Sequence, residues 1–184
     1  MLNDPYRGGT HLPDITAIVP VFYTEDGNEP DAFVAARGHH SDVGGIAPGS
    51  MPPESRTIEE EGVLIDNALL VDAGRFLETE IRELLASARF PARNPDRNIS
   101  DLRAQLAACT RGMELLHGAA RDQGADVVSA YMAHVLANAE ESVRGLLDRL
   151  SDGEFAYAMD NGAVVRAAIR IDHANRSAVF DFTG

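Results

Sequence analysis

Two short stretches of this sequence hold residues able to do chemistry together. In the first, Asn3-Asp4-Pro5-Tyr6-Arg7-Gly8-Gly9-Thr10-His11-Leu12-Pro13-Asp14, an imidazole and a carboxylate stand three residues apart in a Gly/Pro loop. In the second, Gly38-His39-His40-Ser41-Asp42-Val43-Gly44-Gly45, two imidazoles are adjacent and another carboxylate follows. Imidazole nitrogen and carboxylate oxygen together suit a divalent transition metal such as Zn²⁺, Mn²⁺ or Fe²⁺. Glycines beside the first motif let the backbone turn tightly enough to aim His11 and Asp14 at one point. Neighbours on an extended chain point to opposite sides, so one of His39 and His40 faces a shared ion. The other is free to orient a carboxylate or to act as an acid or base.

The elements between the motifs decide whether they can meet. Ile15 to Tyr23 is rich in β-branched and aromatic residues and predicts a strand, with Pro20 arguing for an edge or a bulge. Glu25-Asp26-Gly27-Asn28 is hairpin-turn chemistry, and Asp31 to Arg37 predicts the returning strand. In such a hairpin the start of the first strand lies beside the end of the second. His11 and Asp14 are then brought to the same end as His39 and His40, giving a carboxylate and two histidines with open positions for water or substrate. Each residue also has a plain structural alternative. A lone His–Asp pair in a loop is commonly an ordinary hydrogen bond, Thr10 can bridge its loop, and Asp4 and Arg7 can serve as turn and loop partners.

Residues 38–57 form a long Gly/Pro-rich loop, and such loops inside a compact domain are commonly functional or disordered. Gly62 to Ala73 suggests one or two further strands. From Arg75 the period turns helical, with Phe76, Ile81, Leu84 and Leu85 on one side and Pro91 as terminator. A second helix is expected to start at Ser100-Asp101, with Leu102, Leu106, Ala107, Met113 and Leu116 on one face. A third is expected over Asp126 to Leu150, with Val127, Tyr131, Val135, Val143, Leu146 and Leu147 turned inward, and Gly124 marks the join. Strands return at Phe155–Tyr157, Val164–Ile171 and Ala178–Phe182, separated by turns at Asp160-Asn161-Gly162 and near Asn175. The order of strands, helices and strands predicts an α+β fold: an N-terminal β-hairpin and sheet region over 1–74, central antiparallel helices over 75–150, and C-terminal β-strands over 151–184.

Composition removes several classes of function. With 29 acidic against 16 basic residues the formal charge is −13, which repels phosphate backbones and argues against nucleic-acid binding. No apolar run is long enough to span a bilayer, and the start lacks the order of a signal peptide. The single cysteine, Cys109, excludes an internal disulfide framework and fits a cytoplasmic setting; in an apolar helical stretch it reads as a small buried residue. His117, His134 and His173 stand singly and read as structural. Arg103 and Gln105 can face a partner subunit or sit at the edge of the core. The motif-like loop at one end and the strand-like run at the other are expected to belong to a longer polypeptide.

Both histidine motifs lie in longer strings that resemble the hydantoinase B, 5-oxoprolinase and acetone carboxylase alpha-subunit family. The first is the Asn3–Asp14 string. The second continues from His39-His40-Ser41-Asp42 through Gly44-Gly45 to Pro48-Gly49-Ser50-Met51-Pro52. Glu59-Glu60-Glu61-Gly62, Asp101-Leu102-Arg103-Ala104-Gln105 and Val179-Phe180-Asp181-Phe182-Thr183-Gly184 follow in order, so the resemblance covers essentially the whole chain. It implies part of the metal-bearing B-type subunit of an ATP-dependent cyclic amidohydrolase of the N-methylhydantoinase or 5-oxoprolinase type. There the ring is activated by an A-type subunit, through which alone ATP enters. It further implies His11, Asp14 and one of His39 or His40 as metal ligands, with His40 slightly favoured. His39 or Asp42 is then a candidate base, and Arg7 a candidate for a substrate carboxylate or phosphate. Family chains are much longer, which makes catalysis by this stretch alone doubtful. Three other readings compete: a non-catalytic, partner-binding module whose surface is the helix pair of roughly 100–150, a ketone carboxylase subunit, and an independent metallohydrolase that needs no ATP. Self-association is left open.

Overall fold

The computed structural model describes residues 1–24 and 27–183. The expected turn at Glu25-Asp26-Gly27-Asn28 lies partly outside the described residues. Among the described residues four strands come first, then three α-helices, then three strands, the strands lying in small separate sheets, an α+β arrangement. The chain divides into two compact units, Met1–Ala125 and Asp126–Gly184.

In the first unit, β1 (Asp14–Val21) and β2 (Ala32–His39) form the antiparallel hairpin that the apolar runs predict. The register pairs Asp14 with His39, Ala17 with Ala36 and Val21 with Ala32. Pro20 is exposed in this two-stranded sheet, where its missing N–H leaves no buried ladder position unfilled. Ile15, Ala17 and Val21 turn toward the core, while Asp14, Ile18 and Pro20 occupy the other face.

The long helix α2 (Pro95–Gln123) lies on this hairpin. It starts earlier than Ser100, because Asn94 caps it by accepting from Arg97 N–H and Pro95 fits the first turn, where no N–H is required. Its contact stripe is Asn98, Leu102, Gln105, Cys109 and Gly112, at alternating spacings of four and three. Small residues allow a close approach. A Cβ at Gly112 would stand 2.7 Å from Val34 Cγ1, and one at Gly38 would stand 3.2 Å from Gln105 Cδ.

The remaining pieces complete one core. Helix α1 (Glu78–Ala86) buries Ile81 and Leu85, preceded by the short pair β3 (Val71–Asp72) and β4 (Arg75–Phe76). Most of the stretch expected as strand over 62–73 is irregular, yet it buries Val63 and Ile65. Buried Asn3 supplies the order that a strand ladder would otherwise give. Its amide donates to Leu12 and Val63 carbonyls at 2.8 and 2.9 Å and its oxygen accepts from Ile65 N–H at 2.7 Å. Buried polar groups satisfied in this way fix loops that a sheet does not.

The second unit holds most of α3 (Ala125–Leu147) and a three-stranded antiparallel sheet of β5 (Gly153–Ala158), β6 (Val164–Asp172) and β7 (Ser177–Asp181). The expected inward face of α3 is not buried: Val127, Tyr131, Val135, Val143 and Leu146 are all exposed, and Leu147 alone of the six is buried. Arg176 ties β7 to the helix through Glu141 and Asp148. Among the described residues no helix is long and apolar enough to cross a membrane.

Candidate metal centre

Asp14 opens β1 and His39 closes β2, so the antiparallel register sets them directly opposite each other. Directly paired residues project to the same face, within reach of one another's side chains. His39 Nδ1 lies 3.0 Å from Asp14 Oδ1. His11 precedes the strand in a turn closed by Asp14 N–H donating to the His11 carbonyl at 3.0 Å, which places His11 Nδ1 3.3 Å from Asp14 Oδ2. Thr10 Oγ1 donates to the same oxygen at 3.1 Å. The two imidazoles face each other with centroids 5.2 Å apart and planes tilted by 48°.

Among the described residues, His11, Asp14 and His39 form the one group of three potential ligands whose donor atoms all lie within 4.8 Å of one another. Three nitrogen and oxygen ligands at about 2.0–2.2 Å from an ion stand roughly 3–3.5 Å apart, close to the distances seen. His11 Nδ1 is also buried without a hydrogen-bond partner, since its approach to Asp14 is not aligned as a hydrogen bond. An orphaned buried nitrogen is costly unless something else engages it. The donor set and this orphan both fit a divalent cation. The side chains remain partly open, His39 by 54%, so water or substrate can reach the group.

The Asp14 carboxyl is kept ionised. Burial pushes its pKa up, but hydrogen bonds from His39 and Thr10 and the nearby His11 and His39 charges outweigh this and hold it below the ordinary carboxylate value.

His40, the histidine slightly favoured as a ligand, is placed differently. It is fully buried, with Nε2 3.0 Å from Gln105 Oε1 and Nδ1 3.1 Å from Asn98 Nδ2. That pattern asks for a neutral ring with its proton on Nε2. Burial lowers its pKa, and the Gln105 hydrogen bond opposes this only in part. Gln105 Nε2 also donates to the Ile15 and Ala36 carbonyls, one on each strand. His40 and Gln105 thus brace the hairpin from behind, and the converging donor atoms are those of His11, Asp14 and His39.

Asp42 lies apart from the group as well. It accepts from the backbone N–H groups of Gly44, Gly49 and Arg93 and pairs with the Arg93 guanidinium at 2.8 Å. Burial raises its pKa, but these donors outweigh it and the carboxyl sits below its ordinary value. So engaged, it braces the 42–49 loop. Arg7 is exposed, 3.6 Å from Asp66 and 3.9 Å from Asp4, and makes no ion pair with Asp14 among the described residues.

Asn98 and Arg93 have supporting roles that the sequence motifs did not single out. For Asn98 a signal exists, because a polar residue within the apolar stripe of α2 marks a buried partner. Arg93 offers none, since its carboxylate lies 51 positions away.

Comparison with known proteins gives a consistent picture. A family model described as Hydantoinase B/oxoprolinase matches residues 1–184. The chain is 41% identical over 194 residues to a 5-oxoprolinase of Dictyostelium discoideum, covering 99% of this chain and 14% of that protein. It is 31% identical over 154 residues to the caprolactamase subunit beta of Pseudomonas jessenii, covering 84% of this chain and 25% of that one. The crystal structure of the ATP-dependent caprolactamase from Pseudomonas jessenii superposes with a TM-score of 0.78 at 28% identity, covering 97% of this chain and 31% of that chain. The chain therefore spans well under half the length of these relatives. With the whole of its length matched, the chain belongs to the Hydantoinase B/oxoprolinase family.

Proposed function

We propose that the chain is the metal-bearing part of a B-type subunit in an ATP-dependent cyclic amidohydrolase of the 5-oxoprolinase or N-methylhydantoinase type. It cleaves the C–N bond of a lactam or imide ring activated by an A-type, ATP-using partner. The observation that carries this reading is the convergence of His11, Asp14 and His39 at the open end of the hairpin. Similarity to 5-oxoprolinase and caprolactamase supports the substrate class, and the ATP dependence of the caprolactamase neighbour supports the coupling.

His11, Asp14 and His39 would hold a divalent Zn, Mn or Fe ion, which would supply polarisation of a carbonyl and a lowered pKa for bound water. The chain's own residues do the rest. Asp14, held ionised, supplies the anionic ligand, and Thr10 fixes one of its oxygens. His11 and His39 flank the carboxylate and keep one side open to solvent. His40, neutral and locked by Gln105 and Asn98, holds the end of β2 so that His39 stays opposite Asp14. Turnover requires the rest of a B-type polypeptide and the partner.

The test is a reconstitution in which the chain, within its B-type subunit, is combined with an A-type subunit, and lactam-dependent ADP release and ring-opened product are measured. Ring opening is expected with the wild type and lost with Asp14→Ala. Equal ring opening by both would exclude this site.

A second reading, a partner-binding module without catalysis, is favoured by the exposed apolar residues of α3 and of the C-terminal sheet. It predicts a chain that binds its partner equally well with and without His11, Asp14 and His39.

A further inference from the structure

Helix α2 brings a second set of polar side chains to the metal group. A cleft of about 300 Å³ is lined by His39, Ser41, Arg97, Asp101 and Gln105, and His39 is the residue it shares with the metal group. Arg97 and Asp101 stand one helical turn apart, a spacing at which opposite charges commonly pair. Here neither makes an ion pair or a side-chain hydrogen bond, with the other or with any other described residue, and Asp101 acts on buried His40 only through its charge. The remaining arginines of α2 behave otherwise: Arg103 holds Glu78, Arg111 holds Glu114 and Arg121 holds Asp122. Two opposite charges without a hydrogen-bonded or ion-paired partner, on one wall of a cleft beside a candidate metal ligand, are the features expected of a polar ligand subsite.

We propose that Arg97 and Asp101 form the substrate-orienting subsite of this centre, taking a small cyclic amide that carries an anionic group. Asp101 accepts the ring N–H, and the Arg97 guanidinium pairs with the anion through parallel N–H donors, the geometry guanidinium offers to carboxylate and phosphate alike. The anion is either a carboxylate of the ring compound itself or a phosphoryl group acquired on activation. This assignment rests on the amidohydrolase reading and adds the residues that select among its substrates.

The test is binding to the full chain, followed by heteronuclear NMR, with 5-oxoproline, 2-pyrrolidinone (the same ring without the carboxylate) and inorganic phosphate as probes. Wild type is expected to bind 5-oxoproline about tenfold or more tighter than 2-pyrrolidinone, a difference of about 1.4 kcal/mol. Arg97→Gln should erase that preference while leaving 2-pyrrolidinone unchanged, and Asp101→Asn should weaken both lactams alike. Phosphate that displaces 5-oxoproline more strongly than acetate does identifies a phosphoryl subsite; phosphate that displaces it no better identifies a carboxylate subsite. Equal binding of the two lactams, a preference that survives Arg97→Gln, or no binding of any probe would overturn the proposal. Metal content measured on the same samples separates the two readings. Both variants should keep the wild-type metal content, and absence of metal with the lactam preference intact would overturn the metal reading alone.

Discussion

The two units of the chain are built from equally regular elements but differ in what those elements bury. Residues 1–125 enclose one continuous core, from Met1 and Leu12 through Val43, Ile65 and Ile81 to Leu102 and Cys109. In residues 126–183 the helix and all three strands are formed, yet Leu147 is the single apolar residue described there as buried. Tyr131, Val135 and Leu136 on α3, and Phe155, Tyr157 and Phe180 in the sheet, are exposed. Helical period or strand alternation reports that an element has an apolar side. It does not report what covers that side. Exposed apolar area of this extent marks an interaction surface or an aggregation liability, whereas the first unit has the packing to hold His11, Asp14 and His39 in place.

The largest expected effect that sharpens this contrast is Leu102→Ala against Val135→Ala. The first removes a fully buried side chain and should cost about 2–5 kcal/mol in denaturant unfolding. The second lies on an exposed face and should stay within about 0.5 kcal/mol of wild type. Equal losses would break the comparison.

Gly112→Ala probes the close approach of α2 to the hairpin. The new methyl would stand 2.7 Å from Val34 Cγ1, so about 1–3 kcal/mol should be lost in the same experiment. Gly118→Ala, further along the same helix, would meet only the flexible end of Arg121 at 3.8 Å and should gain about 0.5–1 kcal/mol from helix propensity.

Gln105→Ala leaves buried His40 and the Ile15 and Ala36 carbonyls without their partner, at about 1–3 kcal/mol. It should also lower metal retention, because the strand that carries His39 loses its brace.

The smallest effect is on pH dependence. Asp42 has a folded pKa below its unfolded value, so its contribution is fully present above the ordinary carboxylate value of about 3.9 and is lost as pH falls through the folded pKa. Asp42→Asn should therefore lower the thermal midpoint at pH 7 by a difference that shrinks as pH falls below the ordinary carboxylate value, and a constant difference would refute that role.

How much of this was legible in the sequence varies with the range of the interaction. The hairpin and the gathering of its ends follow from local apolar runs and turn residues. The α+β order and the family motifs are equally local. The choice between His39 and His40 depends on strand parity. Val34, Ala36 and Gly38 face α2, which sends His40 inward and His39 outward. Phe33 and Ala35 on the other face blur that alternation, since both sides of β2 then read as apolar. Helix α2 begins before Ser100 because Asn94-Pro95 is itself a complete cap and first turn, while Ser100-Asp101 carries the same local signal later in the chain. The exposed face of α3 was illegible in principle, because amphipathic period is the same whether or not a partner is present.

Metal content of the purified chain, compared among wild type, His39→Ala and His40→Ala by elemental mass spectrometry after loading with zinc or manganese, tests the central claim most directly. About one ion per chain is expected in the wild type, with loss in His39→Ala and substantial retention by the folded fraction of His40→Ala. Full retention by His39→Ala, or no metal in the wild type, would contradict the assignment of His11, Asp14 and His39 as the metal centre.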